Sequence, residues 1–292
     1  MPERATEIWG IKIALISYSV LVILQLVTFS LTNILVLLAL SLEMLSDVLI
    51  STFLLLSVFW SKKPADEIHM FGYRRTQNVA ALVAAVISIS FMSLETFREA
   101  ISEFYQAPKP VELQKANLTL IVIMVGMFVV AIPITYILQA KAKGASIKAQ
   151  LIALIRDEVS YVAALIAVIL VGKGFNLANP LASMFIAVII AVSGLYLFKD
   201  NVYYLIGKAP PEEVIRKIEL TAKSVKGVLG VHDLKAEYVG PNVFHAGFRI
   251  EVASSMSIEE ADRIAHDVEK RVTLETGCIH CIIHVDPAIH DN

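Results

Sequence analysis

Only two of the 292 residues are cysteine, and only 18% are charged. Two cysteines exclude a disulfide-rich secreted scaffold. The scarcity of charge, beside 57% hydrophobic residues and a mean hydropathy of +0.68, excludes an ordinary soluble globule. No low-complexity tract or internal repeat is evident. No nucleophile-and-base pair and no cofactor-binding loop stand out, so neither an intramembrane enzyme nor an organic cofactor is expected. The net charge of −2 says little about partners, and none of them is expected to be a nucleic acid. The N-terminus lacks a small-residue cleavage site after a short apolar core, so Ile11–Leu31 is expected to be a retained span and not a signal peptide.

What is present is six apolar runs long enough to cross a bilayer. They lie near residues 11–30, 33–60, 76–104, 116–138, 147–171 and 178–204. Basic residues set the orientation. Arg4 and Lys12 precede the first run, and Lys62, Lys63, Arg74 and Arg75 fill the second connection. Lys141, Lys143 and Lys148 lie in the fourth, and Lys199 and Lys208 follow the sixth run. The opposite connections carry no charge, a few basic residues diluted by Glu95, Glu99, Glu103 and Glu112, or Lys173 alone. The positive-inside rule then places both termini in the cytoplasm. Arg74 and Arg75 are expected to anchor the third span at the lipid interface.

Composition changes near residue 207. The segment "PPEEVIRKIELTAKSV" predicts a helix, and "VLGVHDLKAEYVG" and "VFHAGFRIEVA" predict strands around a Gly-Pro turn. "SIEEADRIAHDVEKRVTLETG" has a capping-box start and a terminal Gly, hence a second helix. "CIHCIIHVDP" predicts a last strand. The expected architecture is a six-helix membrane domain over residues 1–206 and a small α/β domain, αββαβ, over 207–292.

Charge inside the apolar runs is costly, at least about 2.5–3.5 kcal/mol per carboxylate at the bilayer centre, and usually marks an ion or proton path. "SLEMLSDVLIS" places Glu43 and Asp47 four residues apart on one face of the second span. "ALIRDEVSY" places Arg156, Asp157 and Glu158 in the fifth. Carboxylate oxygens around a small cavity suit a hard or borderline divalent cation, whose charge offsets their repulsion. A proton relay uses the same residues, and simple neutralisation by an Arg156–Glu43 or Arg156–Glu158 pair is the plainer alternative.

"KKPADEIHMFGYRRTQNVAALVAAV" resembles the cytoplasmic link and third span of the cation diffusion facilitator (cation efflux) family, and "ANPLAS", "VHDL" and "IIHVDP" extend the likeness over nearly the whole chain. The resemblance implies a homodimeric divalent-metal/proton antiporter with six spans and a cytoplasmic αββαβ domain, in a prokaryotic inner membrane. It places the transport site on Glu43, Asp47 and Asp157, while the position four before Asp157, often His or Asp in the family, is Ala153. Without an imidazole the site offers oxygen only, which argues against strict zinc selectivity and toward Mn²⁺ or Fe²⁺. Water, Glu158, a backbone carbonyl, or the hydroxyl of Ser160 or Tyr161 then remains as fourth ligand.

The same likeness implies metal ligands at Asp66 and His69 in the link, with Tyr73 at the third position. In the tail it implies His232, Asp262, His284 and Asp286, with His266 one turn after Asp262; such a mixed set suits Zn²⁺, Fe²⁺ or Co²⁺. Cys278 and Cys281 resemble half of a zinc ribbon without its other half, and in a regular strand they point to opposite faces. The alternative function is a non-transporting family member, a metal sensor or assembly scaffold, supported by Ala153 and Arg156. Arg156 filling the space between Asp47 and Asp157 is the arrangement that counts for that alternative.

Overall fold

The computed structural model describes residues 2–61, 63–106, 108, 110–139, 145–240 and 243–288. Lys62, Lys109, Lys141, Lys143 and Pro241 lie outside the described residues, as do the side chains of Arg4, Lys12 and Lys148. The chain divides into two compact units, residues 1–55 with 81–198 and residues 56–80 with 199–292.

The first unit is built from long helices. These are α1 (Pro2–Thr32), α2 (Leu35–Ser61), α3 (Thr76–Ile87), α4 (Leu94–Tyr105), α5 (Leu113–Gln139), α6 (Ala145–Gly172) and α7 (Ala178–Leu205). A π-helical turn, Ser88–Ser93, joins α3 to α4, so the third apolar run is one continuous element. Uninterrupted helix satisfies every internal peptide group, which hydrocarbon cannot do. Among the described residues five stretches are long and apolar enough to cross a membrane: Leu15–Thr32, Leu35–Ser61, Thr76–Tyr105, Leu113–Thr135 and Ala178–Leu205. The remaining long helix, α6, has 28 residues and packs along α5, but carries Arg156, Asp157 and Glu158 consecutively.

Leu37, Leu40, Ile123, Val130, Val168 and Ile186 form the centre of the helical core. Large apolar side chains such as Ile121, Phe128, Leu181 and Leu195 are exposed, an outer face suited to lipid. The α5–α6 approach depends on Gly126, where an added Cβ would lie 2.3 Å from Cε1 of Tyr161. Gly126→Ala should therefore destabilise the bundle by about 1–3 kcal/mol through overpacking. Thermal unfolding of the detergent-purified protein checks this, and an unchanged midpoint contradicts it.

The second unit contains α8 (Glu212–Lys223), β1 (Gly230–Gly240), β2 (Val243–Val252), α9 (Ile258–Thr276) and β3 (Cys278–Pro287). The sheet order is β1-β2-β3, with β2 antiparallel to β1 and parallel to β3. The parallel pair requires a crossover, which α9 supplies. On β2, Phe244, Ala246, Phe248, Ile250 and Val252 are buried in strict alternation, against Ile218 and Ala222 of α8 and Val268 and Val272 of α9. The αββαβ order read from the sequence is thus the observed one. Ser257 and Glu260 close a capping box at the start of α9, and Gly277 ends it at φ 81°.

One expectation fails on β3. The β2–β3 register passes from Phe244↔Cys278 to His245↔His280, so Ile279 is an extra, bulged residue. The bulge resets the alternation and turns Cys278 and Cys281 to the same buried face. Opposite faces follow only for a regular strand. Both cysteines are free thiols. The hydrogen bond between them pulls the Cys278 thiol down to about 7 and pushes that of Cys281 up.

Candidate functional site

Glu43 and Asp47 lie one turn apart on α2, and Arg156, Asp157 and Ser160 lie within four residues of one another on α6. The two helices meet through these side chains. Ser160 Oγ donates to Glu43 Oε1 at 2.8 Å, and both groups are buried. Arg156 Nη2 reaches Asp47 Oδ2 at 3.1 Å and Oδ1 at 3.2 Å. The same guanidinium donates to Asp157 Oδ1 from Nε at 2.9 Å and from Nη2 at 2.5 Å. Arg156 therefore stands between Asp47 and Asp157, and not on Glu43 or Glu158 as simple neutralisation supposes.

The cluster is graded in depth. The side chain of Asp157 is 6% exposed, whereas those of Asp47 and Arg156 are 23% and 25% exposed. Glu43 and Asp157 form the deep wall, and the guanidinium covers the outer edge. Of the two hydroxyls considered as a further ligand, Ser160 belongs to this cluster. Tyr161 faces elsewhere, its hydroxyl accepting from Gln25 Nε2 at 2.6 Å. Glu158 has a buried Oε1 with no hydrogen-bond partner among the described residues. Beside Asp47, Ser46 Oγ lies 2.5 Å from Ser88 Oγ at the π-helical turn, a local distortion of the kind found near functional sites.

"ANPLAS" has a structural role that sequence reading missed. Asn179 Oδ1 accepts from the backbone N–H of Val36, near the start of α2, at 3.0 Å, and its Nδ2 donates to Glu103 at 2.7 Å. The only sequence signal was a polar residue beside Pro180 at the start of an apolar run.

In the link, Asp66, His69 and Tyr73 do come together. Asp66 Oδ1 accepts from the backbone N–H of Ile68 and of His69, and Asp66 Oδ2 accepts from Tyr73 Oη at 2.5 Å. The tyrosine hydrogen bond foremost holds the Asp66 carboxyl below its usual range. His69 Nδ1 lies 3.4 Å from Asp66 Oδ1. Arg75, expected at the lipid interface, instead pairs with Glu237 Oε1 at 3.0 Å.

In the tail, three of the five singled-out residues form a chain across the sheet. Asp286 sits between His232 Nε2 at 3.3 Å and His284 Nε2 at 3.1 Å, and His232 Nδ1 also reaches Glu251 at 3.5 Å. Arg249 Nη1 occupies the same carboxylate at 3.1 Å and is the chief cause of the depressed Asp286 carboxyl. Asp262 and His266 are on α9, where His266 faces Glu269 at 3.7 Å. Among the described residues no three His, Cys, Asp or Glu side chains are arranged to hold a metal ion in this conformation.

Residues 11–206 match the family described as the cation efflux transmembrane domain, and residues 210–288 match the cation efflux protein cytoplasmic domain. A "Cation-efflux pump FieF" of Yersinia pestis is 30% identical over 92% of this chain and 89% of its own length. An uncharacterized transporter of Methanocaldococcus jannaschii is 28% identical over 83% of this chain and 84% of its own length. Solved structures of the "MamM CTD" match 27% of this chain and 95% of theirs, at 28% identity and a TM-score of 0.26.

Proposed function

This chain belongs to the cation efflux family, and from that premise we propose that it exports a divalent transition-metal cation of the Mn²⁺, Fe²⁺ or Zn²⁺ class in exchange for protons. It is an integral membrane transporter with a cytoplasmic domain, and not an enzyme. We assign the transport domain to residues 1–206 and a metal-binding, dimer-forming domain to 207–292, in a homodimer of a prokaryotic inner membrane.

The observation that carries this reading is the convergence of Glu43, Asp47, Asp157 and Ser160 inside the helical unit. These are oxygen donors only, the set that suits Mn²⁺ or Fe²⁺ over strict zinc selectivity. Three carboxylates less one guanidinium leave two negative charges when all are ionised, the complement of one divalent cation. Carboxylates also carry protons, so the same groups serve antiport: cytoplasmic metal displaces their protons, and outside protons compete the metal off when helix packing alternates. The second reading is a non-transporting sensor or scaffold, and the Arg156 bridge between Asp47 and Asp157 favours it. Metal uptake into proteoliposomes, compared for Mn²⁺, Fe²⁺, Co²⁺ and Zn²⁺, separates the two.

For the tail, His232, His284 and Asp286 are the proposed core of a regulatory metal site. A ligand that binds only the folded state stabilises it by about 2.7 kcal/mol at a hundredfold excess over Kd. His232→Ala with His284→Ala should remove most of the shift in unfolding that Zn²⁺ causes. A wild-type shift in the double variant excludes those histidines.

A further inference from the structure

We infer that Arg156 is a tethered competitor in the transport site: its guanidinium holds the place between Asp47 and Asp157 that a divalent substrate takes, and leaves when that substrate enters. This rests on the proposed transport site and adds a specificity-determining residue to it. Four observations support it. The guanidinium spends its hydrogen bonds on both carboxylates at 2.5–3.2 Å, so it shields the oxygens a cation needs. Its side chain is 25% exposed while Asp157 beneath it is 6% exposed, so it occupies the outer edge of the cluster and can withdraw without crossing it. Glu43, deeper still, is held by Ser160 and is left untouched by the guanidinium. In this conformation no three potential ligands among the described residues are arranged about a metal ion, so the arginine must move for one to bind.

The consequence is selectivity by charge. A monovalent cation offers no more charge than the guanidinium and lacks its tether, which keeps the competitor at a high local concentration. A divalent cation gains twice the Coulomb attraction from the same carboxylates. Only the second displaces the arginine. The cost is apparent affinity, which falls in proportion to the fraction of molecules in which the site is vacant.

Isothermal titration of the detergent-purified full chain with Mn²⁺ tests this, using Arg156→Gln, Arg156→Lys and, as the site control, Asp47→Asn. If the arginine vacates the site in about a tenth of molecules or fewer, Arg156→Gln should bind Mn²⁺ about tenfold tighter or more. Its binding should also become sensitive to K⁺, to which the wild type is indifferent. Arg156→Lys, which keeps the charge on a shorter reach, should fall between them and report on folding of the helical unit. Asp47→Asn should remove this binding in both backgrounds. Unchanged or weaker binding in Arg156→Gln, with Asp47→Asn still abolishing it, overturns the competitor while leaving the transport site standing. Binding indifferent to Asp47→Asn in every background overturns the site itself. A wild type that neither binds at Asp47 nor transports, beside an Arg156→Gln that does both, makes the arginine a permanent plug and also overturns the inference.

Discussion

Asp47→Asn is expected to abolish metal transport while leaving the protein folded and inserted. Asparagine keeps the size and one acceptor oxygen but removes a unit of charge from a cluster that must balance a divalent cation. At a separation of about 4 Å and an effective dielectric constant of about 20, a unit charge pair is worth roughly 4 kcal/mol, or roughly a thousandfold in affinity. Arg156 amplifies the loss. With Asp47 neutral, the guanidinium keeps Asp157 to itself, its two bonds there being the shorter ones. The variant also loses a titratable group, so proton exchange fails by a second route. Asp157→Asn should behave alike. Glu43→Asp should be milder, because it keeps the charge and only shortens the reach toward Ser160 Oγ. Initial rates of metal uptake into proteoliposomes check all three, and transport at wild-type rate in Asp47→Asn contradicts the site.

Ala153→His carries the second large effect, on selectivity. Ala153 lies one turn before Asp157 on α6, on the same helical face. An imidazole there adds a nitrogen donor to an oxygen-only set, which favours Zn²⁺ over Mn²⁺. The ratio of Zn²⁺ to Mn²⁺ transport should rise about tenfold, equivalent to about 1.4 kcal/mol. An unchanged ratio would place residue 153 outside the coordination sphere.

The tail was legible because its local signals agree with one another. Period-two burial on β2 and the capping box of α9 are both written in adjacent residues. Glu43, Asp47 and Asp157 stood out because charge in an apolar run has a cost that must be offset. What stayed hidden depends on tertiary choices between near-equals. Ser160 and Tyr161 are neighbours on one helix, and only the close approach of Gly126 and the hydrogen bond from Gln25 send the tyrosine away from the site. Arg156 had four carboxylates within reach along the sequence pattern, and packing selected Asp47 and Asp157. The bulge at Ile279 and the π-helical turn at Ser88–Ser93 each insert one residue's worth of phase, which no periodic pattern announces.

The central claim is that these carboxylates move a divalent metal against protons, and the most direct test reads both fluxes at once. Proteoliposomes of the full chain carry a metal-sensitive and a pH-sensitive dye in the lumen, and Mn²⁺ or Zn²⁺ is added outside with an opposing proton gradient. The account predicts metal entry matched by proton exit, with both lost in Asp47→Asn. Metal that stays outside the wild-type vesicles while still binding the tail contradicts it, and assigns the protein to the sensor or scaffold role.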